Sequence, residues 1–285
     1  DADDFIRFYA QGPHGWKLSN GQYVHQQNVY SNSAFVFLTH SGNAAKKVGV
    51  SPSNQGNSFD ENLDYYFDLV HHEQDELNFI QSGRIWYGDE FRVNKTQTFN
   101  HNFSNVDPTY NAYISHRFAA RAIGANASCA LDVNGQNWHN MFFGAVSGDY
   151  DDTFGRIASK SGVFQVTGDN VSLNYTYNLP SNEGNAWIDY YSLAVPVKLG
   201  LSGTQKVVRS KEAALYTKVR YQFSGTSYNI WDISDYFNPR VQETFDESGL
   251  KNAIVASDSQ QVQFVLFQPG DEKSAEFVET VTNQN

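Results

Sequence analysis

The sequence is poor in cysteine, in charged residues and in long apolar runs. Its 285 residues include one Cys and one Met, and 18% of them are charged. A single cysteine excludes an internal disulfide, so the fold must be held by its core. The longest apolar runs, such as 34–38, are the length of a strand and far short of the roughly 18–20 residues of a membrane helix. We therefore expect no membrane span.

Positive charge is also scarce. There are 20 Lys and Arg residues against 31 Asp and Glu residues, which gives a formal net charge of −11. No cluster of Lys and Arg supplies the electrostatic attraction that a phosphate backbone or an anionic membrane surface requires. The composition therefore excludes nucleic acid as an expected partner.

Aromatic residues, in contrast, are abundant, at 15% of the chain. Aromatic side chains favour strands, and the Ala, Leu, Glu and Lys richness of helical bundles is missing. Apolar and polar residues alternate in many short segments, as in 171–177, where the odd positions would face a core. The predicted strands cover 4–10, 34–39, 46–50, 112–122, 127–133, 141–146, 162–167, 171–178, 187–195, 213–223, 228–233 and 261–267.

This pattern predicts an all-β fold made of β-sandwich or jelly-roll-like modules with one or two short helices. The two helix candidates are 68–79 and about 271–280, where apolar residues recur at helical spacing.

The chain divides along its length into three predicted parts. An N-terminal β-rich module covers 1–105, a jelly-roll-like sandwich covers 106–225, and a connecting segment covers 226–285. The polar stretch 101–110, which contains Asp107-Pro108, marks the first limit.

Three groups of residues suggest chemistry, each with a plainer interpretation. Cys129 is a nucleophile only if its strand is accessible, whereas its apolar neighbours predict a buried thiol. His71-His72-Glu73, with Asp75 and Glu76, resembles a ligand cluster if the segment is helical, and otherwise a solvated acidic turn. Three carboxylates beside a turn, on Asp149, Asp151 and Asp152, have the oxygen chemistry of a calcium loop but lack the length of an EF-hand.

Two further possibilities concern saccharides. Glycoside hydrolysis needs two carboxyl groups about 5–10 Å apart, which the sequence offers only as candidates at Asp89, Glu90, Asp132 and Asp189. A sugar-stacking platform would use exposed tryptophans, although most tryptophans of such proteins fill the core. The five tryptophans are Trp16, Trp86, Trp138, Trp187 and Trp231.

Several segments, in order along nearly the whole chain, resemble a known family. They are 4–13 with Trp16, 25–31 leading into 35–39, the run Ser-Gly-Arg-Ile-Trp-Tyr-Gly-Asp-Glu-Phe at 82–91, 186–190, and Trp-Asp-Ile-Ser-Asp at 231–235 with Pro239. Together these segments are similar to the region that precedes the peptidase domain in gingipain-like cysteine peptidases, in particular the PorU-type sortases of the type IX secretion system of Bacteroidetes.

The resemblance implies that the chain holds no catalytic nucleophile and that a caspase-like domain with the catalytic Cys and His follows Asn285. It implies a parent that removes C-terminal sorting signals from secreted cargo at the extracellular face of the outer membrane, with secretion-system proteins as partners. The residues themselves predict that Trp86 and Trp187 are core or interface anchors and that Arg84 pairs with Asp89 or Glu90. The resembling segments add Trp16, Asp189, Trp231 and Asp232 as fold-defining or interface residues.

We therefore expect a non-catalytic scaffold or docking region of a cell-surface peptidase, with an unpartnered apolar patch near Trp231 and after Asn252. The alternatives are a carbohydrate-binding sandwich and a hydrolase that uses local carboxylates. No cofactor is expected, apart from the calcium candidate.

Overall fold

Strands dominate the structure. The computed structural model describes residues 6–37, 47–81, 85–180, 183–225, 227–257 and 261–281. The strands are, in chain order, β1 (Gly15–Ser19), β2 (Gln22–Gln26), β3 (Gly49–Ser51), β4 (Glu61–Leu63), β5 (Tyr65–Glu73), β6 (Leu77–Asn78), β7 (Trp86–Tyr87), β8 (Thr96–Asn102), β9 (Asn111–Ala122), β10 (Ala127–Val133), β11 (Gln136–Phe143), β12 (Arg156–Gln165), β13 (Asn170–Asn178), β14 (Gly184–Lys198), β15 (Gln205–Ser210), β16 (Lys218–Phe223), β17 (Asn229–Asp232), β18 (Arg240–Gln242), β19 (Phe245–Glu247), β20 (Leu250–Ala256) and β21 (Val262–Phe267). Two short 3₁₀ turns cover Phe79–Gln81 and Glu212–Leu215.

The chain forms two units, each assembled from separate segments. Unit 1 comprises Asp1–Ala10, Phe37–Asp64 and Leu199–Asn285, and unit 2 comprises Gln11–Val36 and Tyr65–Lys198. The sequence analysis divides the chain differently, at 105 and 225. The structure groups it this way because the sheets of each unit pair strands that are far apart along the chain.

Unit 2 is built on a jelly roll of eight strands. One sheet has the order β12-β9-β14-β5 and the other β11-β10-β13-β8. Counted along the chain as strands one to eight, these orders are 1-8-3-6 and 2-7-4-5, the arrangement of a jelly roll with two Greek keys. The predicted fold class is thus confirmed, and the hairpin β1–β2 and the short pair β6–β7 complete this unit.

The core of the jelly roll is aromatic. Phe118 of β9 is fully buried and lies 5.8 Å from Phe143 and 6.0 Å from Tyr175, measured between ring centroids. Both partners belong to the other sheet, so these rings join the two layers. Offset and tilted ring pairs of this kind add to the stabilisation that apolar burial supplies. The alternation predicted for 171–177 is present, because Val171, Leu173, Tyr175 and Tyr177 are all buried.

Unit 1 contains a five-stranded sheet, β15-β21-β17-β18-β3, and a four-stranded sheet, β19-β20-β16-β4. Tyr221 and Phe223 of β16 pack edge-on against Phe264 of β21, at 4.9 and 5.5 Å. The segment Phe37–Asp64 of this unit joins its sheets through parallel pairs, β3 with β18 and β4 with β16.

Neither predicted helix forms. The segment predicted at 68–79 is strand through Glu73, because it continues the edge strand β5, which pairs with β14. Residues 271–281 have no regular secondary structure. The predicted strand at 34–39 is also irregular over 34–37, and the one at 4–10 is irregular over 6–10.

Candidate functional site

A polar cleft of about 520 Å³ lies in unit 2. Its lining consists of residues 27–32, Glu73, Asp75, Ile85, Trp86, Arg117 and Asp189. The segment 27–32 follows the hairpin β1–β2, Glu73 ends β5, and Trp86 belongs to β7. Four residues singled out from the sequence, Glu73, Asp75, Trp86 and Asp189, therefore meet here.

A β-bulge places Asp189 at this cleft. In the pairing of β14 with β9, Ile188 lies opposite Phe118 and Tyr190 lies opposite Arg117, so Asp189 has no residue opposite it. An extra residue of this kind bends the strand and redirects its side chain. Asp189 consequently points inward. It stands in a run of buried residues, and its side chain is 1% exposed.

Arg117 holds the buried carboxylate. Its Nε donates to Asp189 Oδ2, while Asp189 Oδ1 is buried with no hydrogen-bond partner among the described residues. Burial raises the pKa of Asp189, and the Arg117 guanidinium opposes that rise because it stabilises the ionised form. The guanidinium also lies 5.6 Å from the centroid of the Tyr190 ring.

The charge of the cleft is predominantly negative. Glu73 Oε2 is 3.0 Å from His71 Nε2, and Asp75 Oδ2 accepts a hydrogen bond from Gln27 Nε2 at 3.4 Å. Among the described residues that line the cleft, Arg117 is the one positive charge, against three carboxylates. The arrangement can accept hydrogen bonds from a ligand at several points.

Two aromatic side chains border the cleft and remain accessible. Trp86 is 44% exposed and Tyr30 is 95% exposed. Trp86 was predicted as a core or interface residue, and the structure places it at the surface of the cleft. Exposed rings beside polar groups are surfaces on which a ligand can stack.

Histidines attach the hairpin to the jelly roll beside the cleft. The rings of His25 and His71 are stacked at 3.9 Å, and Trp16 lies 5.1 Å from His25 and 6.2 Å from His71. His71 Nδ1 is 2.8 Å from Ser192 Oγ. Burial, followed by the proximity of His71, lowers the pKa of His25 to about 4, so this contact is made by a neutral His25 near pH 7.

The suggested ligand cluster at 71–76 is divided by the strand. His72 points away from His71, because neighbouring residues of a strand face opposite sides. Its Nε2 is 2.7 Å from Asp89 Oδ2, and its ring is stacked on Tyr191 at 4.7 Å. Within the described part of the chain, no group of three or more His, Cys, Asp or Glu side chains could hold a metal ion.

The loop suggested for calcium is organised by its own hydrogen bonds. Asp152 accepts from the backbone N–H and hydroxyl of Ser147 and from the N–H of Thr153. These bonds lower the pKa of Asp152, since they stabilise its ionised form. Asp149 and Asp151, which belong to the same loop, are exposed.

Cys129 is fully buried in β10, where burial raises the pKa of its thiol. A thiol of this kind is a poor nucleophile, because the thiolate is the reactive form.

The remaining sequence-predicted residues are dispersed. Trp187 packs in a cluster with Tyr87, Ala119 and Phe79, and Trp231 packs edge-on against Phe267 at 5.5 Å. Asp232 accepts a hydrogen bond from the Ser234 N–H. Arg84 lies outside the described residues. The exposed apolar patch expected near Trp231 is absent at that residue, which is buried, whereas Phe277, Val278 and Val281 are exposed.

The carboxylates considered for hydrolysis have separate local partners. Asp89 contacts His72, Glu90 Oε1 accepts from Asn185, and Asp132 accepts from Asn137. Sequence reasoning named Glu73 and Asp75 within the suggested ligand cluster but missed Arg117. The available signal was the arginine at 117, an ionised side chain within the apolar alternation of 112–122.

None of the helices in the described ranges has the length and apolar character needed to span a bilayer.

No protein-family model and no curated protein matches the chain. Among solved structures, the latent dimeric PorU from Porphyromonas gingivalis matches 98% of this chain with a TM-score of 0.71 and 18% identity. A family 36 carbohydrate-binding module in complex with calcium and xylotriose matches 44% of the chain at a TM-score of 0.29 and 14% identity, over 98% of its own length. A family 35 module from Clostridium thermocellum matches 46% at 0.27 and 16% identity, also over 98% of its length. The TM-scores of these two modules are too low to support an argument.

The chain spans 27% of the PorU chain that it matches. The likeness extends over almost all of this chain, so it concerns both units. The fold of this chain is therefore the fold of the matching part of PorU, which confirms at the level of fold the resemblance to PorU-type sortases seen in the sequence.

Proposed function

We propose that this chain is a non-catalytic scaffold and docking region of a cell-surface, gingipain-like cysteine peptidase of the PorU type. The parent would be a sortase that removes C-terminal sorting signals from cargo of type IX secretion. Its location would be the extracellular face of the outer membrane. Its partners would be a downstream caspase-like domain and secretion-system proteins of the outer membrane.

One observation carries this proposal: the structural match to PorU covers 98% of this chain but 27% of the PorU chain. This relation supports the proposal that the chain is one region of a longer protein. The burial of Cys129 supports the non-catalytic role, because its thiol is neither accessible nor easily ionised.

The test uses the longer protein that the proposal requires. Deleting residues 1–285 should abolish correct surface display of cargo, whereas Cys129→Ala should leave peptidase activity unchanged in protein that circular dichroism shows to be folded. Cargo display is read by surface proteolysis and signal removal by mass spectrometry. The proposal fails if Cys129→Ala abolishes activity in folded protein, or if the isolated 285-residue chain cleaves a peptide unaided.

A second candidate is a carbohydrate-binding module, and the exposed rings of Trp86 and Tyr30 beside a polar cleft favour it. Isothermal titration of the chain against a panel of neutral polysaccharides tests this candidate. Binding that Trp86→Ala removes would support it, and the absence of binding across the panel would exclude it.

A further inference from the structure

The cleft of unit 2 combines unbalanced negative charge, a buried unpartnered acceptor and accessible aromatic rings. We infer that this cleft binds the cationic side chain of an arginine or lysine in a partner polypeptide. The inference rests on the proposed docking role, for which it names the chemistry of the partner.

Charge is the first argument. Glu73, Asp75 and Asp189 line the cleft, and Arg117 is committed to Asp189. Among the described residues, two carboxylates therefore have no cationic partner of full charge, since Glu73 contacts the His71 ring and Asp75 contacts the Gln27 amide. A cation entering the cleft is attracted by this surplus, and an anion is repelled by it.

The second argument is the unpartnered oxygen. Asp189 is 1% exposed, and its Oδ1 accepts no hydrogen bond from the described residues. A buried acceptor without a donor is costly, so a group rich in N–H donors is the complement that the site lacks. A guanidinium carries five N–H donors in a planar fork, and an ammonium carries three.

The bordering rings supply the third argument. Trp86 is 44% exposed at the cleft, and Tyr30 is 95% exposed. Guanidinium and ammonium groups are attracted to the faces of such rings, with tryptophan the strongest partner. The same rings would stack on a sugar, but a neutral sugar would leave the surplus carboxylate charge uncompensated.

The size of the cleft agrees with a side chain and its flanking backbone. A volume of about 520 Å³ falls in the range of ordinary ligand clefts. The polar segment 27–32 lines the cleft together with the carboxylates, and its backbone and amide groups offer hydrogen bonds to a peptide backbone.

The experiment titrates the 285-residue chain with acetyl-Gly-Arg-Gly-amide and, in parallel, with the same peptide carrying citrulline. Citrulline keeps the shape of arginine and removes its charge. We expect the arginine peptide to bind at least tenfold more tightly, and its affinity to fall as salt is raised. Calorimetry and NMR shift mapping of the Trp86 indole provide the readouts.

Variants locate the binding. Glu73→Gln combined with Asp75→Asn should weaken the arginine peptide at least tenfold, and Trp86→Ala should weaken it severalfold. Asp151→Asn, which removes one carboxylate from an exposed loop that does not line the cleft, is the matched control and should leave binding unchanged. Melting curves confirm that each variant is folded.

Three results would overturn the inference: equal affinity for the citrulline peptide, no binding of the arginine peptide at millimolar concentration to folded chain, or binding of a neutral oligosaccharide alone. The last result would assign the cleft to saccharides. Because the titration uses the isolated chain, its failure leaves the deletion experiment on the longer protein intact. Conversely, the arginine peptide could bind the isolated chain while deletion of residues 1–285 leaves cargo display unchanged. That pair of results would contradict the proposed function and support the cationic site.

Discussion

Cys129 illustrates at the scale of one residue how burial decides reactivity. It lies within β10, opposite Met141 on one side and Tyr177 on the other, and it is fully buried. Its raised pKa keeps the thiol protonated at neutral pH. The prediction of a buried structural thiol, made from the apolar neighbours of Cys129, is confirmed.

We predict that a thiol reagent such as DTNB will leave the native chain unlabelled and will modify one thiol per chain in denaturant. Cys129→Ala should lower the free energy of unfolding by about 1–2 kcal/mol, because it removes a buried side chain from the core. Denaturant titration measures that change. Rapid stoichiometric labelling under native conditions would contradict this account.

His116 makes stability depend on pH. It is fully buried, with its Nδ1 at 3.3 Å from the Tyr175 hydroxyl and its Nε2 at 3.2 Å from His139 Nδ1. Burial, followed by the proximity of His139 and Lys160, lowers the pKa of His116 to about 3. An imidazole in the unfolded chain titrates near the ordinary value of about 6.5.

We predict that the stability contributed by neutral His116 is fully present above about pH 6.5 and is lost as the pH falls toward 3. The reason is that the unfolded chain then binds a proton that the folded chain does not bind. At pH 4.5 the loss from His116 should be about 2–3 kcal/mol. His25, with a pKa lowered to about 4, acts in the same direction.

Melting temperatures between pH 7 and 4.5 measure the effect. His116→Phe should flatten the acid side of the profile, while Asp149→Asn, in a surface loop, should leave its shape unchanged. An unaltered profile for folded His116→Phe would show that the proton uptake occurs elsewhere.

At the scale of elements, β14 organises the cleft through its bulge and its neighbours. Gly88 follows β7, and its N–H donates to the Ile188 carbonyl at 2.9 Å. A Cβ at Gly88 would lie closer than 3.0 Å to the Cβ and the backbone oxygen of Gln74. The glycine is therefore required for close approach of two backbone segments.

We predict that Gly88→Ala destabilises the chain by about 1–3 kcal/mol, because a methyl group must displace the backbone of Gln74. It should also weaken ligand binding in the cleft, since Trp86 lies two residues away. Gly168→Ala is the control, because nothing lies within 4 Å of the added Cβ. Equal melting temperatures for the two variants would refute the steric argument.

At the scale of the whole molecule, net charge limits the partners. The chain carries a formal charge of −11 and a sequence pI near 5.1. We predict no binding of a 30-base-pair DNA duplex in an electrophoretic shift assay at low salt, because the surplus of negative charge repels phosphates. Salt-sensitive binding of the duplex would contradict this prediction and reveal a local basic surface.

The arrangement of the chain into units also belongs to this scale. β3 pairs in parallel with β18, and β4 pairs in parallel with β16, although about 160 or more residues separate the partners in each pair. Short linear segments therefore take part in sheets that are completed much later in the chain. Domain limits predicted along the sequence, such as those at 105 and 225, cannot take these distant pairings into account.

The sequence by itself determined the fold class, because alternation and aromatic content act locally. The predicted segment 127–133 is β10 at both of its limits, and the buried positions of 171–177 follow from their period of two. Local pattern also identified Cys129 as a core residue. The helix predicted at 68–79 was wrong for the same reason, since it was drawn from that segment alone while β14 supplies the pairing that makes it a strand.

Only the tertiary structure decided where the cleft lies and which residues line it. The bulge at Asp189 depends on the register between β14 and β9, and the approach of Arg117, Glu73 and Asp75 depends on strand order in the sheet. Register and strand order are set by pairing between distant segments, and the energy of that pairing is absent from any single segment. The sequence therefore contained the residues of the candidate site, while the fold brought them together.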